Sequence, residues 1–481
     1  IVIWDSGKQY TDCSSGMTYS GPALSPCTRY SVHLSVWEHS GCQALQAGWF
    51  ETGLLDTGLT SWNGAQWICA PAYTVYAAAK GVFQIESDFR FLDSADRGGI
   101  VFGADDARLM DEAMNEYRLH GKNYIRYEVN IQNPEKPQLH IYRVGYAVDD
   151  DPNIPLEVIP LIQTDTGACL LTPENIHDFH TLTIKVTGNN AQVYFDHTYL
   201  DSTQLNPRGS NDVLTYPRLN NIGFFAGPKG KVCFKNYTVS HIRAPYGIFI
   251  DERPAHGLCQ KTSIFAGKIR CKDDCFILSD AQITADPSNT GLPMLRRSFY
   301  VKPQITRARL YITACGIYDV CINQTAVTQR FFPPGLTQYD RRMNYQTYDI
   351  TPLLKTGENA IGVVLASGWW SDAQTFTVQN YNYFGDREAL LCKLVIDYAD
   401  RTSDVIVSEP ANWAYSGDGP YRYAGFFMGE YYDARQAHIY NDFSSPDFNP
   451  SGWIRPETYV PAYIPASNPG FARDCPEVPK T

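Results

Sequence analysis

The 481-residue sequence lacks any long apolar run: a stretch such as Ile361 to Ala366 is closed at once by Ser367 and Gly368. A bilayer-spanning helix needs roughly 20 such residues, so no membrane partner is expected. A basic excess is missing too. Lys plus Arg number 40 against 51 Asp plus Glu, a net charge of −11, which repels a phosphate backbone and excludes nucleic acid as the natural partner. Glycine-rich turns lack the phosphate-loop pattern, no nucleophile-elbow context occurs, and the acidic loops Asp149-Asp150-Asp151 and Asp93 with Asp96 lack the EF-hand spacing, so solvated loops are expected there. Neither a cofactor nor a metal site is predicted. The 13 cysteines are scattered singly; the tightest pair, Cys271 and Cys275, has no second pair at zinc spacing. Several, such as Cys233, Cys321 and Cys392, sit in strand patterns as small hydrophobes, which points to mostly reduced thiols and a cytoplasmic location. No signal peptide is visible after Ile1.

What is present is alternation. Hydrophobic residues make up 44% and aromatic residues 13%, with 32 Tyr and 9 Trp, a composition that suits sheets and sugar-facing surfaces. In Thr181 to Asp196, Leu182, Ile184 and Val186 alternate with polar residues, Gly188-Asn189-Asn190 turns, and Val193 and Phe195 resume the apolar face. Similar patterns at Phe83 to Phe91, Tyr127 to Ile131, Leu139 to Val144, Arg309 to Thr313, Ile317 to Ile322, Ala360 to Leu365 and Leu391 to Tyr398 predict an all-β chain of consecutive β-sandwich or jelly-roll domains with few short helices. One helix is expected over Asp105 to Tyr117 and a helical turn at Pro352 to Lys355. Composition divides the chain into 1–70, 71–245 and 246–459, followed by a linker-like 460–481 rich in Pro, Ala, Ser and Asn.

Several segments carry a resemblance. Leu295-Arg296-Arg297-Ser298-Phe299, Arg307-Ala308-Arg309-Leu310-Tyr311, Gly316-Ile317-Tyr318, Pro334-Gly335-Leu336-Thr337-Gln338-Tyr339, Tyr345 to Thr351, Gly357-Glu358-Asn359, Gly368-Trp369-Trp370 and Gly429-Glu430-Tyr431-Tyr432-Asp433-Ala434-Arg435 follow one another in a set order. That order resembles the N-terminal jelly roll of bacterial α-L-rhamnosidases of glycoside hydrolase family 78. Trp4-Asp5-Ser6-Gly7 and Phe50 to Leu55 resemble the fibronectin-type domain preceding it. The block between, with Phe83-Gln84-Ile85-Glu86 and Gly98 to Gly103, is similar to a concanavalin or laminin-G jelly roll.

The resemblance implies a non-catalytic carbohydrate-binding region of an inverting hydrolase of terminal α-L-rhamnosides in plant or microbial glycans. The catalytic glutamates would lie on an α/α barrel outside this chain, against which the module would pack. A free-standing lectin-like protein and the sugar-binding domain of a family 2 β-galactosidase remain as alternatives. No residue is expected to be catalytic. Candidate sugar contacts are Trp369 and Trp370, whose rings could stack on a sugar face, and Glu430, Tyr432, Asp433 and Arg435, of which Glu430, Asp433 and Arg435 read first as an ion-paired network holding the module to a neighbour. Tyr117 and Arg126, beside the expected helix, combine a ring with a guanidinium and read also as half-buried strand residues.

Overall fold

The structure is a computed structural model that describes residues 1–13, 15–55, 58–110, 122–147, 149–163, 165–206, 217–243, 246–253, 263–374 and 381–461. Antiparallel strands dominate, in two large facing pairs of sheets and two small ribbons. The predicted alternation becomes alternating burial: in Val82–Leu92 each second residue faces the core. The hairpin forms from His180–Thr187 and Asn190–Phe195, with Leu182, Ile184, Val186, Val193 and Phe195 all at 0% exposure.

In the middle block, an eight-stranded sheet runs Thr198–Gln204, Asn190–Phe195, His180–Thr187, Val82–Leu92, Lys231–Ser240, Cys275–Leu278, Arg270–Lys272, with Ile248–Glu252 also paired to Lys231–Ser240. A six-stranded sheet faces it: Ala281–Ala285, Asn221–Ala226, Arg97–Ala104, Tyr124–Asn130, Gln138–Val144, Glu157–Pro160. The core between them is aromatic, with Phe224 stacked on Phe234 at 4.5 Å and edge-on to Tyr237 at 5.3 Å. Strand pairing carries this block to Ala285, beyond the boundary that composition placed at Pro245. Its two ends meet: the Val75 amide donates to the Asn289 side chain at 2.9 Å and the Ala77 amide to Ser288 at 3.0 Å.

The jelly roll pairs a five-stranded sheet, containing Met294–Val301, Ile317–Ile322 and Gly357–Ala366, with a six-stranded one built on Ile305–Cys315 and Ala389–Tyr398. Ile68–Cys69 pairs with Ala389–Leu390, so the chain adds one short strand to this sheet before departing into the middle block. The helical turn forms as Thr351–Leu353. Of the longer expected helix, Ala107–Met110 is described, opened by the Asp106 carboxylate accepting from the Arg108 amide at 3.0 Å; positions 111–121 lie outside the described residues, as do 462–481 of the expected linker.

Near the N-terminus, Arg29–Trp37 and Gln43–Glu51 make a two-stranded ribbon with no second sheet over it among the described residues. Its base is clamped to the jelly roll. Arg309 grips Glu51 through two 2.7 Å bonds, and the Leu54 amide donates to the Tyr345 hydroxyl at 2.9 Å. No described helix is long and apolar enough to cross a membrane.

Candidate functional site: an aromatic edge and groove of the jelly roll

At the end of the strand Gly357–Ala366, the Gly368–Ser371 turn of helix points its two tryptophans in opposite directions. Successive helical residues are offset by about 100°, so one ring can enter the core while its neighbour leaves it. Trp370 is fully buried against Tyr339 and Phe384, and its indole leaves no room for a Cβ at Gly385, which would sit 2.4 Å away. No ring face remains for a sugar, so Trp370 is a packing residue and not the expected contact. Trp369 is half-buried, 4.3 Å from the Phe426 ring and edge-on to Phe332 at 6.2 Å, while Phe331 and Phe332 stay 87% and 49% exposed.

Arg330, which precedes Phe331 in the chain, lines an open groove of about 450 Å³ together with Thr328, Asn344, Tyr345, Gln346, Thr347 and Tyr348. Gln346 holds the groove wall in place: its amide donates to the Pro334 carbonyl at 3.0 Å and its carbonyl accepts from Tyr318 at 2.9 Å. The volume is within the usual range for small-molecule sites. Hydroxyl-pairing groups line the groove together with Tyr345 and Tyr348.

The hairpin Tyr421–Gly425 and Gly429–Tyr432 brings the other expected residues to the same end of the module, because Phe426 lies in its turn. Asp433 and Arg435 bind each other at 2.7 Å, and Asp433 caps the turn Ala434–Gln436, so their charges are spent locally. The hydrogen bond from Arg435 holds the Asp433 carboxyl down at about 2. Glu430 is exposed and forms no ion pair among the described residues, so the expected three-membered network is a two-membered one. Tyr432 is exposed and packs edge-on to Tyr421 at 5.0 Å. The contact with the middle block is made instead by Tyr423 and Tyr431, which both stack on Tyr76, at 5.7 and 4.9 Å.

Behind this hairpin lies a polar joint between middle block and jelly roll. The Glu388 carboxylate accepts from Ser367 at 2.5 Å and Ser371 at 2.8 Å, and Asp372 accepts from Tyr423 at 2.8 Å. Burial raises Asp372 above the usual carboxylate range and lowers Lys80 below the usual amine. His241, packed among Tyr73, Phe249 and Tyr381, is pushed down to about 3 by burial, with Lys80 adding. The cavity left here, about 30 Å³, is of the size of a water and not of a sugar.

In the middle block, Arg126 lies on the outer face of the six-stranded sheet, sandwiched 4.1 Å from both Tyr142 and Phe225 and ion-paired with Glu128 at 3.2 Å. At 6% exposure it has little surface to offer a ligand, so it serves the sheet face rather than the expected sugar contact. Tyr117, its expected companion, lies outside the described residues. In the acidic loops Asp149 and Asp93 are exposed, as expected, while Asp150 accepts from Arg143 at 2.8 Å and from the Tyr146 and Ala147 amides, and Asp96 pairs with Lys229 at 2.9 Å. Sequence reading missed Phe331, Phe332, Phe426 and Tyr76; the signal available was paired aromatics inside turn segments, where no strand demands them.

Residues 303–469 match the family described as the alpha-L-rhamnosidase N-terminal domain, and residues 2–56 match the Rha78A-like, N-terminal immunoglobulin domain, a sandwich class that fibronectin-type domains share. An α-L-rhamnosidase from Streptomyces avermitilis is 27% identical over 99% of this chain. The chain carries N-terminal domains of the α-L-rhamnosidases. A second α-L-rhamnosidase, from Formosa agariphila, is 38% identical over 29% of the chain. The chain spans 42% of the Streptomyces relative and its match covers 15% of the Formosa one. Because the Streptomyces alignment runs across the middle block, that relative shares the interruption of the rhamnosidase module. A crystal structure of Streptomyces avermitilis α-L-rhamnosidase complexed with L-rhamnose is similar over 96% of this chain and 41% of that one, at 22% identity and a TM-score of 0.49.

Proposed function

We propose that this rhamnosidase-family chain is an accessory carbohydrate-binding region of a glycoside hydrolase acting on terminal α-L-rhamnosides of plant or microbial glycans. The observation that carries the reading is the groove of about 450 Å³ with Arg330, Asn344, Gln346 and Tyr348 in its wall, followed in the chain by the exposed Phe331 and Phe332, the second of which meets Trp369. A deoxy sugar has an apolar face bearing its methyl group and a polar rim of hydroxyls. A ring can take the first, and amides and a guanidinium the second. Hydrolysis is not assigned to Glu388, Asp433 or Asp372: Glu388 is occupied by two serines, Asp433 by Arg435 and Asp372 by Tyr423.

Calorimetric titration of the full chain with p-nitrophenyl α-L-rhamnoside tests this. Saturable binding is expected, weakened at least tenfold in Trp369→Ala and in Arg330→Ala. Binding that is absent, or that survives both changes intact, would remove the groove from the account.

A further inference from the structure

The polar groups that line the groove of about 450 Å³ divide into those the fold already uses and those it leaves open. The Tyr345 hydroxyl accepts from the Leu54 amide, Gln346 is held at both ends by Pro334 and Tyr318, the Tyr348 hydroxyl meets that of Tyr318 at 3.2 Å, and the Thr328 hydroxyl accepts from the Arg330 amide at 3.0 Å. These form a fixed wall. The Arg330 guanidinium, the Asn344 side-chain amide and the Thr347 hydroxyl have no partner among the described residues. Arg330 and Thr347 are exposed and Asn344 is half-buried, so all three can be reached from solvent.

The charge of this wall is opposite to that of the chain. No carboxylate lines the groove among the described residues. Residues 328–348 carry three arginines, Arg330, Arg341 and Arg342, against Asp340 alone, a net +2 within a chain of −11. Asp340 meets Arg341, at 3.9 Å, and not Arg330. Elsewhere in the jelly roll Arg297, Arg307 and Arg309 each grip a carboxylate, Glu409, Asp397 and Glu51 respectively. Arg330 is left without one.

A neutral sugar presents hydroxyls that donate as well as accept, and its site must supply acceptors to match. A guanidinium offers only donors. The acceptors left open in the groove are those of Asn344 and Thr347, so its open face is rich in donors and positive. The complement of such a face is a planar anion with two acceptor oxygens, which the guanidinium fork can hold by paired, charge-assisted hydrogen bonds. Because Arg330 stays in contact with solvent, the pair forms without the cost of burying two charges. The acidic remainder of the surface repels such an anion, which confines it to the groove.

We propose that the groove recognises an acidic saccharide, a glycan bearing a uronate whose carboxylate is held by Arg330 while its hydroxyls meet Asn344 and Thr347. This rests on the reading of the groove as a glycan site and names the charge of the glycan it takes.

The test is calorimetric titration of the full chain with p-nitrophenyl β-D-glucuronide and p-nitrophenyl β-D-glucoside, which differ only in whether C6 is a carboxylate. The glucuronide should bind about fivefold more tightly or better. Arg330→Gln keeps donors for hydroxyls and removes the charge, so it should abolish the preference. Equal affinity for the two glycosides in the wild type, or a preference that survives Arg330→Gln, would overturn the assignment. A chain that takes neither glycoside but still binds p-nitrophenyl α-L-rhamnoside would overturn it too, while leaving the groove a sugar site; a chain that takes none of the three loses both readings.

Discussion

The N-terminal ribbon and the middle block are written in the same alternating script, yet they bury their apolar residues to opposite extents. In the ribbon Leu34, Leu45 and Trp49 remain 50%, 72% and 59% exposed, whereas in the middle block Phe83, Phe91 and Phe224 are at 0%. Period-two patterning specifies a strand with two unlike faces; whether the apolar face is stabilising depends on a second sheet arriving to cover it. The ribbon is held by its base, the block by its core. Substitutions should therefore separate the two regions sharply. Phe224→Ala removes a ring packed against Phe234, Tyr237, Phe265 and Phe276, which should cost about 3–5 kcal/mol. Leu45→Ala should stay within about 0.5 kcal/mol. Urea denaturation followed by tryptophan fluorescence measures both; a large cost at Leu45 would mean that the ribbon is covered in solution.

The comparison also shows how far a sequence reaches. The hairpin His180–Thr187 and Asn190–Phe195 was legible because both its turn and its one-sided pattern are local. The end of the middle block was not, since Cys275–Leu278 returns to pair with residues 232–234 after a long excursion, and punctuation at Pro245 says nothing of a partner so distant. The candidate site divides in the same way. Trp369 and Trp370 are identical in type and adjacent, and only the turn of helix they share decides which is fully buried and which stays half-exposed against Phe426. Arg126 reads as a sugar ligand until its two flanking rings, Tyr142 from the next strand and Phe225 from a remote one, are brought against it.

A smaller and pH-dependent effect is expected where the middle block meets the jelly roll. His241 titrates at about 3 in the folded chain because burial, and secondarily Lys80, oppose its charge. A base whose folded pKa lies below its unfolded value leaves the unfolded state holding the extra proton between those two values, so stability is full above the ordinary imidazole range near 6.5 and falls as pH drops below it. The slope from this one group approaches about 1.4 kcal/mol per pH unit. His241→Phe keeps an aromatic ring among Tyr73, Phe249 and Tyr381 and removes the titration. Denaturation midpoints at pH 7 and pH 5 should therefore differ less in the variant than in the wild type. Equal differences would show that the ring is already hydrated and the joint loose.

A modest effect should come from the ribbon's clamp, and it should be local. Glu51 accepts both bonds from Arg309, which also meets Asp349 at 2.8 Å. Glu51→Gln thus leaves the nearly buried guanidinium with one carboxylate still in place, so the severe cost of stranding a buried charge does not arise. With Glu51 partly reachable by solvent, the loss should be no more than about 1 kcal/mol. Because the ribbon shares no core with the jelly roll beyond its base, that loss should appear as easier detachment of residues 29–51 while the global unfolding midpoint stays unchanged. Limited trypsin digestion reads this directly, since Arg29 lies at the ribbon's base, opposite Glu51. Faster cleavage there at an unaltered midpoint is the expected outcome. A lowered midpoint would instead make the ribbon part of the jelly roll's cooperative unit and erase the distinction between a strand pair held by its base and one held by its core.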